Sequence, residues 1–169
     1  TTAYRVDSIV MVPILNLSSG ISTLAAQSCG AGETRRARRI FQAGLGIMAG
    51  VALLLTVLVI PTGGDLIALF GAGAEAVSIG DSFFRRIALF YLIFGLANAV
   101  RGYLEGMGDV VYSSFAGMAS LVCRIILSYA LAGIFANMVI AWAEALSWVL
   151  LLLLYVLRAL WKGRQWNRA

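Results

Sequence analysis

The sequence predicts an all-α fold, a polytopic transmembrane helix bundle with five membrane-spanning helices. Two features of composition and one of pattern predict it. Of 169 residues, 61% are hydrophobic and only 12% are charged, against about 25% charged in an ordinary soluble domain. The mean hydropathy is +0.90. The apolar residues also fall into five runs, each near the roughly 20 residues that a spanning helix needs. A short chain this apolar cannot cover itself with polar surface, so lipid is its main solvent.

The first run extends from Ala3 to Ala26. It contains Pro13 and the polar residues Asn16, Ser18, Ser19, Ser22 and Thr23. Proline lacks an N–H and its ring crowds the carbonyl four residues back, so the helix is expected to bend or loosen near Ile9–Pro13. The second run, Thr34–Ile60, is expected to stop at Pro61. Pro61–Glu75 is glycine-rich, and within it Asp65–Phe70 reads as one short interfacial turn of helix capped by Asp65. The third run covers Ala76–Glu105, the fourth Val110–Phe135 and the fifth Met138–Leu160. Gly30–Gly32, Gly106–Gly108 and Gly133–Asn137 supply the turns. Ile47–Ile60 and Val149–Val156 are apolar all round, unlike the one-sided stripe of a soluble bundle.

Charge sets the expected orientation. Arg35, Arg36, Arg38, Arg39, Arg101, Arg158, Lys162, Arg164 and Arg168 fall on one side of a five-helix path. Arg5, Arg85 and Arg86 fall on the other, and Arg124 lies within the membrane. Excess Lys and Arg mark the cytoplasmic side. The chain is therefore expected in a cell membrane, multi-pass, with its C-terminus cytoplasmic. The net charge of +5 reads as this topology signal plus attraction to the lipid bilayer. No nucleic-acid partner is expected, because the Arg35–Arg39 block is short, lacks interleaved aromatics and abuts an apolar span. An odd number of spans, and Thr1 in place of an initiator Met, read as one transmembrane region (1–169) of a longer protein.

Small residues four apart let helices approach closely in lipid. Gly46 with Gly50, near Ala43 and Gly44, and Gly95 with Ala99 are the expected packing faces.

Cys29 and Cys123 form no motif and there is no histidine, so no metal site and no cofactor is expected. No nucleophile–base pair is visible, and an enzyme is not expected. Function is left to the polar groups in or near the spans: Asp7, Asn16, Gln27, Asn98, Arg124 and Glu144. Ionisable residues inside a membrane are costly and mark function by default. The competing reading for each is a bond that fixes one helix against another. Broken helices with polar residues at mid-membrane build binding sites in transporters. Counted back from the last turn, Arg124 lies roughly 16 Å deep and Glu144 roughly 10 Å. Side chains lean toward their own helix N-terminus, which separates the two. A shared polar cavity with Ser128 and Ser147 is expected rather than a tight pair. Glu144 is then expected to face a cleft and handle ions, and a close Arg partner would contradict that.

Tyr4-Arg5-Val6-Asp7-Ser8-Ile9, Pro13 and Ser22-Thr23-Leu24-Ala25-Ala26-Gln27-Ser28-Cys29-Gly30-Ala31-Gly32 together resemble a helix of the multidrug and toxic compound extrusion (MATE) transporters. In that family the end of this helix usually reads Gln-Asn-x-Gly-Ala-Gly, and here Ser28 replaces the Asn. Gly102-Tyr103-Leu104-Glu105-Gly106-Met107-Gly108-Asp109 resembles the family's Leu-Arg-Gly-x-Gly-Asp, with Glu105 replacing the Arg. Arg124-Ile125 and Ala141–Trp148 are similar to late segments of one bacterial branch.

The resemblance implies a twelve-helix protein of two six-helix lobes, of which this chain matches the last five helices, in the C-terminal lobe. It implies a cation-coupled antiporter, using protons or sodium, that exports organic cations or other xenobiotics by alternating access. The implied partners are a small-molecule organic substrate and the remaining N-terminal part of the transporter. Some branches carry an acid within the helix matching Ile87–Val100, where this chain has Asn98. Two other classes stay open. A lipid-linked oligosaccharide flippase of a related superfamily would need cations such as Arg124 and Arg5 facing the cleft. A non-transporting scaffold subunit would pair its polar groups internally and line no cavity.

Overall fold

The protein is described here by a computed structural model, over residues 2–69, 73–135 and 139–166. Six α-helices follow one another: α1 (Thr2–Gly30), α2 (Thr34–Leu69), α3 (Ala74–Ile87), α4 (Tyr91–Gly106), α5 (Val110–Phe135) and α6 (Val139–Trp166). A 3-10 turn, Ala88–Phe90, joins α3 to α4. Five helical segments are long and apolar enough to cross a membrane, with α3, the turn and α4 counting as one. The predicted turn at Gly133–Asn137 lies partly outside the described residues.

Both prolines are accommodated within unbroken helices. α1 runs through Pro13, and α2 runs through Pro61 to Leu69 without the predicted stop. The predicted separate turn at Asp65–Phe70 is therefore the last part of α2 as far as Leu69. Each proline forfeits one bond to the carbonyl four residues back, Ile9 for Pro13 and Val57 for Pro61, and the remaining bonds and contacts of each helix outweigh that loss. Beyond Pro61, Gly63 packs against Phe84 and Ile67 against Gly80, which ties the end of α2 to α3.

The third span differs from prediction in the other direction. It breaks at Ala88–Phe90 instead of running straight from Ala76 to Glu105. Thr56 on α2 lies at the break, its hydroxyl 2.8 Å from the Ala88 carbonyl. A polar side chain from a neighbouring helix thus satisfies a backbone group in a low-dielectric setting.

α4 is the hub of the bundle. Tyr91, Gly95, Ala97, Asn98, Ala99, Val100, Gly102, Tyr103 and Leu104 of α4 are all buried. α1, α2 and α6 all pack on it. Small residues make that possible. A Cβ at Gly102 would collide with the Ser18 carbonyl, and one at Gly106 would lie 2.6 Å from the Ser22 carbonyl. Gly95 sits on Met48 and Ala52 of α2. The expectation for Gly95 holds, and so does that for Gly44, which meets Ile21; Gly46 and Gly50 have no neighbour within 4 Å among the described residues, where the α2 packing face is Gly44, Met48 and Ala52. Those positions are four apart, so each returns to the same side of the helix.

Two turns at one end of the bundle close in the same way. Gly32 and Gly108 have φ of 74° and 82°, a left-handed conformation that glycine adopts without penalty. In each, the N–H after the glycine reaches back five residues: Glu33 to Ser28, and Asp109 to Leu104. This is the pattern that ends a helix at a left-handed residue. The same end carries the start of α2 and the end of α6, since Arg35 and Gly163 line one groove. It is the basic end of the molecule.

Candidate functional site

The six sequence-selected residues separate into three groups. Asp7, Arg124 and Glu144 belong to a buried polar cluster built by α1, α4, α5 and α6. Asn98 is buried between α1 and α4. Asn16 and Gln27 lie on an exposed face of α1.

In the cluster, Asp7 is only 5% exposed and its carboxylate accepts a hydrogen bond of 2.7 Å from the Tyr91 hydroxyl. Tyr91 opens α4 just after the 3-10 turn, so the break in the third span sets its position. Tyr91 and Phe94 pack against Trp148 of α6, at ring-centroid distances of 6.5 and 4.7 Å. Arg124 and Glu144 form a salt bridge of 2.9 Å. Ser147 organises it: its hydroxyl accepts from Arg124 Nε at 3.2 Å and donates to the Glu144 carbonyl at 2.7 Å. Ser120 donates to the Ser147 carbonyl and adds a further tie between α5 and α6.

This geometry corrects two expectations. Arg124 and Glu144 are paired, not held apart across a cavity. The Arg side chain spans the small difference in height, and two opposite charges in a membrane interior are far less costly together than apart. By the criterion set above, Glu144 is one half of an interhelical ion pair and is withdrawn as an ion-handling residue. Ser147 belongs to the cluster, whereas Ser128 turns back to the Arg124 carbonyl of its own helix.

Asn98 donates to the Phe94 carbonyl one turn back, and its own backbone carbonyl accepts from Ser18 at 2.6 Å. It lies one turn before Gly102, at the α1–α4 contact.

α1 has two contrasting faces. Met11, Ile14, Ser18, Ile21, Ala25 and Ser28 are buried. Pro13, Asn16, Gly20, Thr23 and Gln27 are exposed, at spacings of three and four that keep them on one stripe. Thr23 bonds the Ser19 carbonyl of its own helix. Asn16 and Gln27 make no side-chain hydrogen bond among the described residues.

Sequence reasoning missed two features. Tyr91 is 84 residues from Asp7, and nothing local marks them as partners. The second is an ion cluster at the basic end. Asp109, in the α4–α5 turn, takes two hydrogen bonds from Arg158, at 2.7 and 3.2 Å, and lies 3.5 Å from Lys162. Tyr112 and Trp161 sandwich the Arg158 guanidinium, each ring centre 4.7 Å away. The Arg158 bond, opposed by partial burial and aided by Lys162, holds the Asp109 carboxyl below the usual carboxylate range. A signal for this pairing existed: charge counting places both residues at the same membrane face. Among the described residues, no group of His, Cys, Asp and Glu could hold a metal ion.

Comparison with known proteins places this architecture. The MatE family model matches residues 1–130. The probable multidrug resistance protein YoeA of Bacillus subtilis (strain 168) is 27% identical over 116 residues, 66% of this chain and 25% of that protein. The probable multidrug resistance protein YpnP of the same organism is 27% identical over 107 residues, 63% of this chain and 24% of that protein. The chain thus spans about a quarter of the length of these relatives. An inward-facing multidrug resistance MATE family transporter of the MOP superfamily superimposes with a TM-score of 0.80 and 23% identity. That match covers 92% of this chain and 37% of that one, so the fold is shared over nearly every element described above. With the family model matching well over half its residues, the chain belongs to the MatE family.

Proposed function

We propose that the chain forms five helices of the C-terminal lobe of a twelve-helix antiporter, which exports organic cations or other xenobiotics in exchange for protons or sodium. One observation carries this reading: the polar stripe Asn16, Gly20, Thr23 and Gln27 on the exposed face of α1. Unsatisfied amide side chains facing lipid are costly. The face is suited instead to an aqueous pathway, closed on its far side by the rest of the transporter. The family, and the names of the relatives, support a transporter rather than an enzyme. On the charge asymmetry, the basic end and the C-terminus are assigned to the cytoplasm.

Within this reading, Asp7 is the acid assigned to ion coupling. Its carboxylate is held by a neutral hydroxyl, whereas the Glu144 carboxylate is held by a guanidinium. The same pairing weakens the flippase alternative, because Arg124 is engaged by Glu144. The stripe weakens the scaffold alternative, which requires polar groups paired internally.

Single cysteines in the full-length transporter, freed of native cysteines, test the pathway. At positions 16 and 23 they should react with a water-soluble thiol reagent and be protected by an organic-cation dye. At the exposed apolar position 15, off that stripe, the cysteine should be inert. Equal inertness at all three would place the stripe in lipid and remove the reading. Asp7→Asn should abolish ion-driven efflux while dye binding persists. Unchanged efflux with unchanged pH and sodium dependence would remove the assignment of Asp7.

A further inference from the structure

A groove of about 860 Å³ opens at the basic end between α2, α4 and α6. Its walls are apolar, formed by Phe41, Leu96, Val100 and Val156 among others, and Arg35 and Arg38 stand at its mouth. Phe41 and Tyr103 stack at 4.3 Å and give it a rigid flank. The other cations at this end are mostly engaged. Arg158 and Lys162 are held by Asp109, Arg101 by Glu105 at 2.7 Å, and Arg36 by Glu33 at 3.4 Å. Arg35 and Arg38 have no acidic partner among the described residues. The groove's two charges are thus available, and both lie at one end of an otherwise apolar slot.

The geometry points to a binding site for an anionic phospholipid, with its phosphate on Arg35 and Arg38 and an acyl chain in the slot. Three observations favour this occupant over a protein segment. Charge and apolarity are separated along the groove as they are along a lipid. Basic pockets between transmembrane helices suit anionic head groups, and guanidinium groups bind phosphate oxygens in a fork geometry. The depth also fits. From Gly163 to Leu152 along α6 is about 16 Å at 1.5 Å per residue, close to half of the roughly 30 Å hydrocarbon core. A head group at the membrane surface would therefore leave its chain within one leaflet. The site is separate from the α1 stripe and from the Asp7 cluster, so it does not depend on the proposed transport function.

The test is native mass spectrometry of the full-length transporter, with phosphatidylglycerol and phosphatidylethanolamine of matched chains added in turn. Phosphatidylglycerol should be retained in preference. Replacing both arginines, Arg35→Gln with Arg38→Gln, should lower that affinity roughly thirtyfold, at about 1 kcal/mol per cation. Arg35→Lys with Arg38→Lys should keep most of it. Arg36→Gln removes a neighbouring charge outside the groove and should leave retention nearly unchanged. Excess inorganic phosphate should not displace the lipid, because it cannot fill the slot. Equal retention of the two lipids, an equal loss in Arg36→Gln, or displacement by phosphate would overturn the site. So would cross-linking of a cysteine at Val156 to another segment of the transporter, which would make protein the occupant.

Discussion

The two ion clusters sit at different depths of the bundle. Arg124 meets Glu144 midway along the spans, with side chains 32% and 7% exposed and a serine completing the arrangement. Asp109 meets Arg158 where a turn joins two spans, beside two aromatic rings, with side chains 10% and 27% exposed; the contrast lies in depth, not in exposure. Both tie α6 to the α5 side of the bundle. They differ in what replaces a lost partner. At the basic end, water and head groups can take over. In the interior nothing does, so an orphaned charge keeps its full desolvation cost. The same chemical bond therefore has different consequences at the two depths.

The largest expected effect comes from breaking the interior pair on one side only. Arg124→Leu or Glu144→Leu should each destabilise the transporter by about 3–5 kcal/mol, the usual cost of an orphaned buried charge. The double substitution should recover most of that loss. Thermal unfolding in detergent measures it; additive losses would show that the two residues do not act as a pair.

The next effect is steric, and it separates the two glycine faces. Gly102→Ala should cost about 1–3 kcal/mol by forcing α1 from α4, because its new Cβ meets the Ser18 backbone. Gly46→Ala meets no atom of the described residues within 4 Å and should change stability by less than about 0.5 kcal/mol. Equal melting temperatures for the two variants would contradict the assigned packing faces.

The smallest effect is at the basic end. Asp109→Asn should cost about 1 kcal/mol, since water and lipid head groups at the membrane face can take over the lost partner. Its pH dependence has a definite sign. The Asp109 carboxyl is held below its ordinary value of 3.8, so its contribution is present at and above that pH and fades as pH falls below it. Asp109→Asn should therefore narrow its gap to wild type only under strong acid. A gap that closes between pH 5 and 7 would assign the bond to another group.

Much of this was legible in the chain. The five spans, the turns at Gly30–Gly32 and Gly106–Gly108 and the basic end follow from composition, run length and glycine position. Asp7, Arg124 and Glu144 stood out because an ionisable residue in an apolar run has few explanations. Their arrangement did not stand out. The lean of side chains argued against an Arg124–Glu144 bond, but lean is a weak preference beside the energy of two unpaired charges in lipid. Pro61 was overweighted for the same reason: it loses one bond, whereas α2 gains contacts with α3 beyond it.

By itself the sequence determined that this chain carries five helices long and apolar enough to cross a bilayer, because apolar length and glycine punctuation act locally along the chain. Only the tertiary structure decided which glycines touch a neighbour, which acid meets a guanidinium and which a tyrosine, and which face of α1 stays open. Those outcomes depend on how far each helix is rotated about its axis. Residue spacing fixes which side chains share a face, but the direction of that face is set by all the packed neighbours together.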